Sequence, residues 1–186
     1  KPGARRNAAS DGTAPMARVE ATRLVEEALW RVGFVHVAGV DEVGRGCLAG
    51  PVVAGAVILG PGFAVRGLAD SKLVPPAERE RLADRIRRGA LAWAVAEVGA
   101  ADIDRIAIHR ASLESMRRAV MCLSPRPDAV LVDAFTIPGL PVAQRGIVHG
   151  DRLCASIAAA SIIAKVHRDR LMVALHAEDD RYGYAR

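Results

Sequence analysis

Aromatic side chains make up only 4% of the 186 residues while 51% are apolar, so a core has to be assembled from Ala, Val, Leu and Ile. Small aliphatic residues of this kind suit helices packed closely on a sheet. No apolar run reaches the roughly 18 uninterrupted residues of a membrane-crossing helix, because Pro, Gly or charge breaks each one. The amino end carries Arg5, Arg6 and Arg18 but no contiguous apolar stretch or cleavage pattern of a secretory signal, so a cytoplasmic address is expected. Cysteine is scarce and odd in number. Cys47, Cys122 and Cys154 lie far apart without CxxC spacing, which argues against a disulfide framework or a zinc site and leaves them as small buried hydrophobes.

The sequence has no GxxxxGK[ST] phosphate loop, which ranks a phosphohydrolase or phosphotransferase acting on small molecules low. It also has no internal repeat. Excess positive charge is less telling than it looks: of the net +5, Lys1, Arg5, Arg6 and Arg18 against Asp11 put +3 into the first eighteen residues. A basic tail raises affinity for any polyanion, so the charge permits a nucleic-acid partner without identifying one.

The length allows one good core, and a single domain over residues 17–186 is the expectation. Residues 1–16, rich in Gly, Ala, Pro, Ser and Arg, read as a disordered or basic tail. Helical spacing of Val19, Leu24, Ala28 and Leu29 predicts a helix from Ala17 to Arg31, stopped by Gly33. Strands are predicted at Phe34–Val40 and Val52–Leu59 around a Gly-rich turn, and at Leu91–Val98. A charged helix starts at Pro75-Pro76 and runs to Arg88, and Ala101–Leu123 reads as one helix or two. Short strands follow at Ala129–Val132, ending in Asp133, and at Gly146–His149, ending near Asp151. A long helix from Leu153 to Ala177 begins with small residues that let it lie close to a sheet. Meander-like strands first and helix-alternating strands later predict an α/β domain with a central mixed β-sheet flanked by helices.

Asp41 and Glu42 close one apolar strand, Asp133 closes another, and Asp151 follows a third across Gly150. Each alone is as well explained by a strand end or helix cap. Together they would converge at one edge of the sheet, where open α/β sheets bind ligands. Several carboxylates so close repel one another and normally need a cation. All-oxygen donors without a partnering Cys or His select Mg²⁺ or Mn²⁺. Paired ions of this type are a common device for phosphodiester cleavage.

Val37-Ala38-Gly39-Val40-Asp41-Glu42-Val43-Gly44-Arg45-Gly46, with Ala49-Gly50-Pro51 behind it, resembles the opening motif of the ribonuclease HII (type 2 ribonuclease H) family. Three further segments match in order: Leu68-Ala69-Asp70-Ser71-Lys72, Leu131-Val132-Asp133, and Gly150-Asp151 followed by the stretch from Ala155 to Arg170. The resemblance covers Phe34 to Arg186. It implies a ribonuclease-H-like fold, with Asp41, Glu42, Asp133 and Asp151 as the catalytic, metal-binding set holding Mg²⁺ or Mn²⁺. It implies an endonuclease that cuts RNA–DNA hybrids and ribonucleotides embedded in duplex DNA, as in ribonucleotide excision repair, leaving 3′-hydroxyl and 5′-phosphate ends. A monomer is expected.

By the same resemblance Gly44-Arg45-Gly46 senses the ribose 2′-hydroxyl, and glycines there would let the backbone approach the sugar. Ser71 and Lys72 face the nucleic-acid backbone, and Lys165 and Arg168 on the long helix stand between phosphate contact and plain exposure. Asp169 reads as the i,i+4 partner of Lys165. His149 replaces a common lysine, and Ala134-Phe135 replaces a common Gly-Asn, so Phe135 could pack over the site. Beyond Tyr184 the family continues into a glycine-rich segment with a sugar-stacking tyrosine, which this sequence stops short of. The alternative that follows is a catalytically impaired module that binds RNA–DNA hybrid, with Tyr184 as a conceivable substitute for the stacking residue.

Overall fold

The computed structural model describes residues 20–64 and 66–185; the expected tail at residues 1–16 lies outside the described residues. β1 (Val37–Val43), β2 (Val52–Ile58) and β3 (Ala92–Val98) form an antiparallel meander. β4 (Ala129–Asp133) and β5 (Ala143–Ile147) add in parallel on the other side of β1, giving a mixed sheet of order β3-β2-β1-β4-β5. α2 (Pro76–Gly89) and α6 (Ala155–Glu178) cover one face, and α4 (Ile108–Met121) covers the other. This is the layered α/β arrangement expected from the order of elements.

The alternation of a strand sets what each face sees. On β1, Ala38 and Val40 pack with Met116 and Ala119 of α4, while Val37 packs with Ile157 of α6. Gly39 therefore faces α6, and a Cβ there would come within 2.1 Å of the Ser156 carbonyl carbon and 2.2 Å of the Ile157 nitrogen. Gly55 on β2 repeats the arrangement, its missing Cβ falling 2.4 Å from the Ala160 carbonyl oxygen. Small residues on the helix and glycines on the strands together bring α6 down to backbone contact. Its amino end is fixed by α1 (Leu24–Arg31): the backbone N–H and hydroxyl of Ser156 both donate to the buried Glu26 carboxylate, at 2.8 and 2.6 Å. An acid at a helix amino terminus also answers the helix dipole.

Several expected boundaries move, each for a physical reason. Of the expected first helix, residues 17–19 lie outside the described residues; α1 begins at Leu24, because residues 20–23 run across the fold: Ala21 N–H donates to Leu68 O and Thr22 bridges to Cys154. β1 continues through Asp41 and Glu42, so these acids lie within the strand instead of closing it. The region after Gly99 is two helices, α3 (Ala100–Ile106) and α4, broken at Ala107, whose φ of 68° no helix can contain. β5 spans Ala143–Ile147 rather than Gly146–His149; as an edge strand it needs backbone pairing to β4 more than apolar side chains. Gln144 closes its flank, accepting from Ile137 N–H at 2.6 Å and donating to Ile137 O at 2.8 Å. The long helix starts at Ala155, after a separate turn of helix, α5 (Gly150–Leu153). Of the cysteines only Cys154 is buried, its thiol pushed up to about 12 by burial; Cys47 and Cys122 are exposed, contrary to expectation. Among the described residues no helix is long and apolar enough to cross a membrane.

Candidate active site

The alternation that turns Gly39 toward α6 turns Asp41 the same way and Glu42 toward α4. In the parallel pairing of β1 with β4, Val40 stands opposite Val132, so one further step sets Asp41 beside Asp133. Leu131 packs with Ile157, which puts Asp133, two residues on, on the α6 face with Asp41. Asp133 then recruits the next element: its Oδ1 accepts the Gly150 N–H at 2.7 Å, tying the start of α5 and hence Asp151 to the end of β4. Asp151 thus comes from a helical turn, not a strand end.

Asp41, Glu42, Asp133 and Asp151 line one cavity of about 380 Å³, together with Gly44, Arg45, Gly46, Ser71, Lys72 and Lys165. Arg168 lies on the same wall, whereas His149, Phe135, Asp169 and Tyr184, also singled out in the sequence, do not. Among the described residues, no three acidic, histidine or cysteine side chains already converge as tightly as ion ligands. Part of the reason is visible. Asp41 Oδ1 accepts the Glu42 N–H at 2.7 Å, and Asp133 Oδ1 is engaged by Gly150.

The electrostatics are those of crowded like charges. Burial, then the charges of Glu42 and Asp133, hold the Asp41 carboxyl well above the usual carboxylate range, offset in part by the Ser161 hydroxyl and the Glu42 N–H. Glu42 is raised by burial and by Asp133, against the pull of the Arg45 guanidinium and the Ser112 hydroxyl. Asp151 is raised by burial and by the charges of Asp70 and Asp133, with Arg152 and Lys72 opposing. Three acids on one cavity therefore hold their protons more readily than free carboxylates do, a bias that a divalent cation reverses.

The walls are held by residues that sequence reasoning did not single out or left undecided. Gly44 has φ 100°, and a Cβ there would lie 2.6 Å from both Arg168 Nε and Pro51 O, so only glycine fits this turn. Arg168 is buried and donates to Pro51 O at 3.1 Å and Ala49 O at 2.8 Å; it staples the turn to α6. Arg79, also buried, donates to Ser71 O at 3.1 Å, Val74 O at 3.1 Å and Asp169 at 2.8 Å. Asp70 accepts from Lys72 N–H at 3.0 Å and from Arg152 at 3.1 Å, so the Ser71-Lys72 loop is tied to α5. Ser161 Oγ and Ser71 Oγ lie 2.9 Å apart, within hydrogen-bond reach of each other. Lys165 pairs with Asp169 across one turn of α6, as its spacing suggests. A buried arginine in a charged helix gives no sequence signal that separates it from its exposed neighbours; an i,i+90 partner is invisible in one dimension.

The remaining expected residues fall at the rim. His149 is exposed in a left-handed conformation at the amino end of α5. Phe135 is half-buried and Arg45 stacks on it. Tyr184 stacks on Tyr182 with ring centroids 5.5 Å apart, and lines a neighbouring cavity that shares Cys47, Lys165 and Arg168 with the carboxylate one. Ala134, directly after Asp133, has φ 59°, a region that costs a side-chain-bearing residue about 1–2 kcal/mol. Ala134→Gly is accordingly expected to raise stability by about 0.5–1 kcal/mol after the extra chain entropy of glycine, roughly 1–4 °C in a thermal melt. A lowered melting temperature would contradict it.

The ribonuclease HII family model matches residues 38–186. A ribonuclease HII of Moorella thermoacetica is 54% identical over 90% of this chain and 82% of its own length. That of Myxococcus xanthus is 53% identical over 86% of this chain, which spans only 55% of that longer protein. Among solved structures, the ribonuclease H2 of Pyrococcus horikoshii superposes with a TM-score of 0.69 at 31% identity, over 79% of this chain and 77% of that one.

Proposed function

The chain belongs to the ribonuclease HII family, and from that premise we propose that Asp41, Glu42, Asp133 and Asp151 carry its hydrolysis of the RNA strand, and that it also cuts at single ribonucleotides embedded in duplex DNA. The observation that supports this reading is the sharing of one cavity by four carboxylates, the Gly44-Arg45-Gly46 turn and the Ser71-Lys72 loop.

The donor set fits Mg²⁺ or Mn²⁺, since it is all oxygen and destabilised by its own charge. Bound by these four residues, such ions would supply an activated water and stabilise charge on the leaving 3′ oxygen, giving 3′-hydroxyl and 5′-phosphate ends. The rest of the work belongs to the chain. The glycine turn lets backbone groups come up to the ribose, whose 2′-hydroxyl distinguishes RNA from DNA. Lys72 and Lys165 meet the phosphates, which position the duplex without reading its sequence. The bond from Gly150 N–H to Asp133 holds the acids of β4 and α5 in one relative orientation.

The test offers an RNA–DNA hybrid and a DNA duplex carrying one ribonucleotide, each with Mg²⁺ and with Mn²⁺. Incision of both, with 3′-hydroxyl ends at the embedded ribonucleotide, is expected. Cleavage of the hybrid alone would remove the embedded-ribonucleotide activity from the proposal, and binding without incision under every condition would make the chain a hybrid-binding module.

A further inference from the structure

We infer that His109 and Phe135 are positioning residues that hold the Arg45 guanidinium at the mouth of the carboxylate cavity, ready to grip a phosphate of the bound nucleic acid; this rests on the nuclease reading above. Arg45 rises from the turn after β1, Phe135 from the segment after β4, and His109 from the first turn of α4. Arg45 Cζ lies 4.8 Å from the centre of the Phe135 ring, and Arg45 Nη2 donates to His109 Nδ1 at 3.2 Å. His109 in turn meets Phe135 edge-on, with centroids 5.3 Å apart and planes at 68°. One ring supports the flat face of the cation, the other takes one edge, and the two rings brace each other.

A plain packing role does not account for Phe135. It belongs to none of the three apolar clusters of the core, and its ring contacts are a cation and an imidazole. It reaches the rim because the chain turns sharply after Asp133, with Ala134 left-handed and Phe135 N–H donating to Asp133 O at 2.7 Å. The bond to His109 also fixes a tautomer: a guanidinium only donates, so Nδ1 carries the lone pair and Nε2 the proton.

Among the described residues the guanidinium makes only this one hydrogen bond, so the rest of its donor fork is left for a ligand. A forked donor pre-set in orientation suits the paired oxygens of a phosphate, and fixing it beforehand removes the rotamer entropy that a free arginine loses on binding. Arg45 also lines the carboxylate cavity, so a phosphate held by its guanidinium lies beside the acids.

The experiment is a set of double-mutant cycles on the full chain. Affinity for an RNA–DNA hybrid is read without divalent metal, and KM and kcat are read with Mg²⁺. Phe135→Leu and His109→Ala are each expected to weaken binding about 2–5-fold and raise KM to match, with kcat little changed. Phe135→Tyr and His109→Gln, which keep a ring and an acceptor, restore most of the loss. In an Arg45→Ala background, Phe135→Leu and His109→Ala should have no further effect. Losses that persist undiminished in that background, or no loss in the native one, overturn the clamp. Failure of the native chain to cut while the binding cycles still show coupling would overturn the nuclease reading and leave the clamp standing.

Discussion

Asp41→Asn should abolish incision, by at least about 10³-fold, while making the metal-free protein harder to unfold. The two effects have one cause. Asp41 is 7% exposed, flanked by Glu42 and Asp133, and its carboxyl is held well above the usual range by burial first and those charges second. An asparagine keeps the oxygen that accepts the Glu42 N–H and removes the charge that the fold tolerates poorly. What it cannot do is neutralise a divalent cation, so on the proposed reading the gain in stability comes with the loss of incision, the usual trade at a functional centre.

The same reasoning fixes a pH dependence. Carboxyls whose folded-state values are raised, here Asp41, Glu42 and Asp151, make the folded protein bind more protons than the unfolded chain. Their favourable contribution is complete below the unfolded carboxylate range of about 4 and is lost as pH rises through the raised values. The metal-free protein should therefore melt at a lower temperature at pH 8 than at pH 5, with the slope reduced in Asp41→Asn. Mg²⁺ or Mn²⁺ should restore more stability to the native chain at pH 8 than at pH 5, by mass action on the charged form. Glu114, held down to about 2 chiefly by its hydrogen bond from Arg117, works in the opposite sense, but its contribution is lost only as pH falls below the ordinary carboxylate range. Calorimetry on both chains across this range decides the matter, and identical slopes would sink it.

What the sequence made readable about the site was the recurrence of acids near the ends of apolar runs. It was readable because parallel pairing of β1 and β4 converts two distant runs into neighbours ending at one edge. The path to Asp151 was harder. β5 is an edge strand of mixed polarity, and the turn of helix that carries Asp151 has no apolar period and starts after a histidine, not a glycine, in the left-handed position. Ala107 hides the break between α3 and α4 in the same way. Arg79 and Arg168 escaped or stayed ambiguous because burial of a cation is decided by distant carbonyls, such as Ala49 O and Val74 O, that only the fold brings near.

Gly39→Ala should destabilise the protein by at least about 3 kcal/mol, roughly 6–12 °C for a chain of this size. The run of small residues opening α6 discloses one half of the helix–sheet contact, and Gly39 is the other half. A single methyl there meets backbone atoms of Ser156 and Ile157 at 2.1–2.2 Å, and backbone cannot rotate aside as a side chain can. The helix must lift or the strand must bend. Either movement strains the bonds from Ser156 to Glu26 and shifts Ser161 away from Asp41, so catalysis should fall along with stability. Gly62→Ala is the matched control: nothing lies within 4 Å of a Cβ at that position, and a change within about 0.5 kcal/mol is expected. If Gly39→Ala melted like Gly62→Ala, α6 could not be resting on β1. The shared placement of Asp41 and Asp133 on the α6 face would then lose its structural basis.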